Sequence, residues 1–193
     1  LYETENRYAE SEPLQKEYFE HSQTRLLQSA TFLSEQELSK YNATFQTDGD
    51  VQSSLILNRQ KQKVPIVAIS GLSYDNALFN KGFLLNASGQ IKRLATQDSV
   101  STEKFNQLKS YRRRLAAEYS KPVIERKGLE ELEEKANISE KEIARMASGY
   151  GEAIKQVNWQ QVQIALKGTE AAIEFVSFKV NFPKKTDSIM YAA

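Results

Sequence analysis

Few side chains in this sequence are of a type and spacing that could do chemistry. His21 is the only histidine, and there is no cysteine. An imidazole acts on a nucleophile or shares a metal with other ligands. His21 has neither beside it and reads as a residue on a helix surface. The absence of cysteine excludes disulfides, thiolate metal sites and a Cys nucleophile within these 193 residues. Ser101-Thr102-Glu103-Lys104 has S-x-x-K spacing, in which a lysine activates a serine. The companion S-D-N and K-T-G elements are missing, and Lys185-Thr186-Asp187 only approaches the second. Ser101 or Thr102 is better explained as an N-cap. Asp48-Gly49-Asp50 offers oxygens for calcium but lacks the remaining ligands and the terminal Glu, so a capped turn is expected. Gly149-Tyr150-Gly151 is followed by no G-K-[ST] and reads as a helix stop. Arg112-Arg113-Arg114, beside Tyr111, could touch phosphates and stack a base. An acidic helical stretch downstream gives these arginines a plainer role in an interhelical charge pattern. No cofactor or metal site is expected. The candidates that remain are interaction and packing residues: Arg112, Arg113, Arg114, Leu115, Leu129 and Leu132.

The surroundings must therefore be read for architecture. Hydrophobic residues make up 40% and charged residues 26%, an ordinary globular balance. Eight Gly and four Pro in 193 residues favour long helices, because many short strands need more turn residues. A formal net charge of +1 gives no global field toward nucleic acid. No stretch approaches the ~20 apolar residues of a bilayer span, and a cytoplasmic location is expected. The chain begins at Leu1 and stops on Ala193 inside an apolar run, which predicts a piece of a longer protein.

Pro13 is expected to open a helix from Leu14 to Ala30, with Leu14, Tyr18, Leu26 and Leu27 at helical spacing. Ser34 with Glu37 forms a capping box for a helix over 35–46. Thr47 to Asp50 then breaks the chain, and Asp50 caps a short helix through Val51, Leu55 and Ile56. After Lys63-Val64-Pro65, Ile66 to about Ala95 reads as one long apolar helix. Gly71, Gly82 and Gly89 lie inside it, each at ~1 kcal/mol against Ala. Close helix–helix approach is the expected compensation, so this helix should be the most buried. Helices over about 101–119 and 126–148 carry apolar residues at threes and fours, which predicts an antiparallel, coiled-coil-like hairpin. With Pro122 in the turn, Leu115 should face Leu132, Tyr119 should face Leu129, and the three arginines should meet Glu133 and Glu134. Asn158 caps a helix from Trp159 to Leu166. Ala172 to Phe178 then reads as an interior strand with two apolar faces, and Ser188 onward as a second strand. No internal repeat is present. The fold class expected is mainly α: an antiparallel bundle with a two-helix hairpin and a C-terminal β-hairpin fragment.

Two stretches carry a family likeness. Ala171 to Phe178, followed by Thr186-Asp187-Ser188-Ile189-Met190-Tyr191-Ala192-Ala193, resembles the opening of a CHAT domain, where a helix, a turn and an "EFV" strand begin a caspase-like sheet. Asn158 to Val162 with Ala165-Leu166 is similar to the helix leading into it. Tyr74 to Phe79, Lys81-Gly82, Leu84-Leu85 and Phe32 to Glu35 resemble the helical region upstream of such domains. The likeness implies a helical connector over 1–157 and the first part of a CHAT-like domain over 158–193. Its parent would be a bacterial tetratricopeptide-repeat protein whose His/Cys dyad lies beyond Ala193, so no catalytic residue is expected here. The implied partners are protein: the repeats and the peptidase-like domain of the parent. A free-standing helical interaction module is the alternative. No nucleic acid or membrane partner is expected for this segment. Residues 171–193 should fold back on a platform of Trp159 and Val162, or else pair with a second copy.

Overall fold

The computed structural model describes residues 1–94, 99–146 and 157–193. The chain is mainly helical and ends in a two-stranded antiparallel sheet. The helices are α1 (Tyr8–Ser29), α2 (Glu35–Ala43), α3 (Gln46–Gln62), α4 (Val67–Leu94), α5 (Ser99–Tyr119), α6 (Leu129–Met146) and α7 (Trp159–Ala165). The strands are β1 (Val176–Lys179) and β2 (Ile189–Ala192), and Val123–Glu125 form a 3-10 turn between α5 and α6. The chain divides into two compact units. The first comprises Leu1–Arg25, Asn42–Gly82 and Gln156–Ala193; the second comprises Leu26–Tyr41 and Phe83–Lys155.

Local signals set several boundaries as expected. Ser34 Oγ accepts from the Glu37 N–H at 3.3 Å, and the Ser34 N–H donates to the Glu37 carboxylate at 3.1 Å. This is the reciprocal capping box. Asn158 and Gln161 make the same exchange at the start of α7. Lys63 takes the left-handed conformation, φ 58°, and closes α3 through the Arg59 and Gln60 carbonyls. The Gly149-Tyr150-Gly151 stop lies outside the described residues.

Other boundaries differ from expectation. Pro13 does not start α1, which begins at Tyr8 and carries the proline in its second turn. The missing N–H removes the i+4 donor from the Ala9 carbonyl, but both residues are exposed, so the carbonyl is open to solvent. Asp48-Gly49-Asp50 is not a break. These residues belong to the opening turns of α3, where Asp48 sits at the favourable end of the helix dipole. Gly49 lies against Asn76, and Gln52 accepts from the Asn76 amide at 3.0 Å. Packing thus holds α3 helical where local propensity favours a turn. Ser101 and Thr102 are not N-caps, since α5 is already running at Ser99.

In the first unit the buried apolar side chains are Phe19, Leu55, Ile69, Phe79 and Phe178, with Phe19 edge-on to Phe79 at 6.3 Å. The second unit buries Leu26, Leu38, Phe83, Leu108, Leu132 and Ile143 among others. α4 supplies core residues to both units, but it is not buried all round, because Val67 and Leu85 are exposed. Its glycines differ. A Cβ at Gly71 would lie 2.7 Å from Trp159 Nε1, so close approach does account for this glycine. A Cβ at Gly89 would meet nothing within 4 Å.

The C-terminal segment also departs from expectation. β1 begins at Val176, not Ala172, and Ile173 and Phe175 are exposed. Two strands with Val176 opposite Ala192 and Phe178 opposite Met190 cannot cover both faces of the run. The β-hairpin folds back on α3 instead of on Trp159 and Val162. Ser54 Oγ accepts from the Asn181 N–H at 2.8 Å and lies 3.4 Å from the Lys179 carbonyl, which tethers the end of β1 to α3.

Candidate functional site

The helical hairpin of the second unit holds the residues singled out from sequence. α5 and α6 pack along their length, and Leu132 is buried at their seam while Leu115 and Leu129 are half-buried. Some pairs across the hairpin differ from expectation. Tyr119, not the arginine run, meets Glu133, and Arg112 meets Glu140. The connection differs as well: a 3-10 turn occupies Val123–Glu125, and α6 begins at Leu129.

Arg112 donates from Nε and Nη2 to one Glu140 oxygen, at 3.2 and 2.8 Å, and from Nη2 to Glu35 at 2.7 Å. The other Glu140 oxygen accepts from the Glu35 N–H at 2.8 Å. Lys141 pairs with Glu37, and Asn137 lies 3.4 Å from the same carboxylate. Burial opposes ionisation of Glu37, but Lys141, the Ser34 N–H and Asn137 outweigh it and lower its pKa. Burial likewise opposes the Arg112 charge, and Glu140 with Glu35 more than offsets it, raising the pKa. α2 is therefore joined to the hairpin by charge-assisted bonds. Arg113 and Arg114 stay exposed, and Arg114 lowers the Glu131 pKa only as the last contribution, after the bond and charge of Lys135. Glu35, Glu140 and Lys141 were missed from sequence, and Glu37 was read only as part of the capping box. Their partners lie 28 to 105 residues away, and no local pattern marks such pairs.

The first unit contains a second arginine cluster that sequence reading missed entirely. Arg59 is completely buried. Its Nε donates to Glu3 at 3.2 Å, its Nη2 bonds the same carboxylate, and Nη1 donates to Glu12 at 2.6 Å. The guanidinium also lies 4.6 Å from the Tyr8 ring. Burial works against this charge, and the hydrogen bonds to Glu3 and Glu12 outweigh it, raising the pKa. A cleft of about 850 Å³ lies alongside, lined by α1, the start of α4 and the Trp159 region. Burial pushes the Asp75 carboxyl in its wall above the ordinary range, opposed by the Trp159 N–H that donates to it.

The groups considered for catalysis sit in ordinary surroundings. His21 is exposed, 3.7 Å from Glu17. Lys104 pairs with Glu142 across the hairpin, and Ser101 is buried. Among the described residues, no three His, Cys, Asp or Glu side chains gather as a metal site. Among the same residues, no helix is long and apolar enough to cross a membrane. No protein-family model, curated protein or solved structure matches the chain.

Proposed function

We propose that this chain is a non-catalytic helical connector, holding a repeat-based protein-binding module against a caspase-like CHAT peptidase domain. One observation carries the reading. The β-hairpin is fastened to α3 at the end of β1, while every residue of β2 is exposed, Tyr191 at 81%. Two strands with an apolar, uncovered edge are marginal by themselves and act as a template for further strands. A sheet continuing from β2 supplies what this edge lacks, and the resemblance of 158–193 to the opening of a CHAT domain supplies its identity. In this reading the parent acts in the cytoplasm, and its dyad lies outside residues 1–193.

The test is the reading frame on both sides of these codons. Continuation past Ala193 into alternating strands and helices with a His and a Cys, and helical repeats upstream, is the expected result. A stop codon at Ala193 overturns the connector in favour of a free-standing interaction module. The exposed apex of the α5–α6 hairpin is the observation favouring that second reading.

A further inference from the structure

We propose that the cleft between α1, the start of α4 and the Trp159 region binds a small organic cation, an ammonium or guanidinium group carried on an apolar body. The whole lining belongs to the first unit. Its volume of about 850 Å³ lies within the about 300–1,000 Å³ of small-molecule sites. Phe19, Ile69, Leu72 and Trp159 supply an apolar wall. Such a wall holds the body of a ligand, and the few polar groups beside it choose the head.

Four charged side chains line the cleft: Glu12, Lys16, Glu20 and Asp75. Glu12 is held by Arg59, which also holds Glu3, so this trio carries one net negative charge. Lys16 and Glu20, exposed and 3.8 Å apart, cancel each other. Asp75 has no such counter-charge among the described residues. The Trp159 N–H donates to one of its oxygens at 2.5 Å, and the other oxygen has no partner among the same residues. The sign holds beyond the lining. α1 carries four glutamates against Lys16 and Arg25, residues 67–80 of α4 carry only Asp75, and α7 carries no charge. Lys63 and Lys81 lie outside the lining, and Lys81 is paired with Glu174.

A carboxylate oxygen without a partner, set in an apolar wall, calls for a donor that brings positive charge. Burial already disfavours the charge on Asp75, and a cation beside it relieves that penalty. The half-buried Trp159 ring in the same wall is a further favourable neighbour for a cation. An anion would meet Asp75 with nothing to offset the repulsion, since the one lysine of the lining is paired.

The inference does not depend on the connector reading. Its probe is 4-phenylbutylamine, titrated into the whole chain by calorimetry and by Trp159 emission. The comparisons are the neutral 4-phenylbutanol, the anionic 4-phenylbutyrate and n-butylamine, which lacks the ring. The amine should bind about tenfold or more tighter than the alcohol, and the acid and n-butylamine should bind more weakly than either. This order is read on the unmodified chain and needs no variant. Asp75→Asn keeps an acceptor for the Trp159 N–H. It should bring the amine down to the affinity of the alcohol and leave the alcohol unchanged. Leu72→Ala should weaken amine and alcohol alike. Four results overturn the proposal. They are an alcohol or acid that binds as tightly as the amine, an amine preference that survives Asp75→Asn, no saturable signal from the amine up to about 10 mM, and tighter binding of the peptide acetyl-Phe-Lys-Leu-amide, which would give the cleft to a protein partner.

Discussion

Arg59 in the first unit and Arg112 in the second each hold two carboxylates distant in sequence, and the two sites differ mainly in water. In the first unit the Arg59 side chain is 0% exposed, and its partners Glu3 and Glu12 are 8% and 33% exposed. In the second unit Arg112 is 46% exposed, with Glu35 also at 46% and Glu140 at 8%. Similar bonds therefore carry different stakes. A buried pair gains little over an apolar core but leaves an uncompensated charge when one member is removed. A solvated pair is screened and worth little by itself. Arg59 makes the N-terminal turn a condition of folding for the first unit. Arg112 adjusts the seat of α2 on the helical hairpin.

The sharpest way to break this contrast is Arg59→Ala. It strands the Glu3 carboxylate in the interior and should cost about 3–5 kcal/mol, read as a lower midpoint in denaturant. Arg59→Met combined with Glu3→Met should recover most of that loss. If Arg59→Ala melts like the parent chain, the N-terminal turn is not part of the folded unit. In the second unit, stability rests on the apolar seam instead. Leu132→Asp puts a charge at a site 6% exposed and should cost on the order of 3 kcal/mol. An unchanged melting temperature would mean the seam is open.

Smaller effects sharpen the comparison through the two α4 glycines. Gly71→Ala drives a methyl into the Trp159 ring, an overpacking cost of about 1–3 kcal/mol set against a helix gain of ~1. Gly89→Ala meets no atom and should stabilise by about 1 kcal/mol. Thermal melts of the pair should move in opposite directions, and a shift of the same sign in both would show that α7 does not sit on Gly71. The smallest change is expected for Arg112→Ala. It should lose about 1 kcal/mol or less and be attenuated by salt, because the Glu35 N–H still bonds Glu140. A loss as large as that at Arg59, insensitive to salt, would erase the distinction between the sites.

What was legible in the sequence was local. Capping at Ser34 and Asn158, the stop at Lys63–Pro65, the long apolar run of α4 and the two-helix period of α5 and α6 all involve residues within a turn or two of one another. The boundaries that differ involve competition with packing. The Asp48–Asp50 turn signal yields to the contact of α3 with Asn76. The connection of the helical hairpin contains a 3-10 turn that no spacing announces. Of the candidate site residues, Leu132 lies buried where its period predicts, and Arg112 forms an interhelical bridge with a different glutamate. The Arg59 cluster left no trace, because Glu3, Glu12 and Arg59 look like surface charges until the chain folds them together. The proposed connector role joins the open β2 edge to a family likeness, and its test lies in the flanking codons.

The contact at Gly71 gives this molecule its own optical gauge. Trp159 is the one tryptophan, beside nine tyrosines. Excited at the red edge, where tyrosine hardly absorbs, it emits alone. Its indole rests on bare helix backbone and is half-buried. Lifting α7 from α4 exchanges that backbone for water and shifts the emission to longer wavelength. Because α7 leads into the β-hairpin, the color of a single unlabelled fluorophore follows the limb that carries the open strand edge.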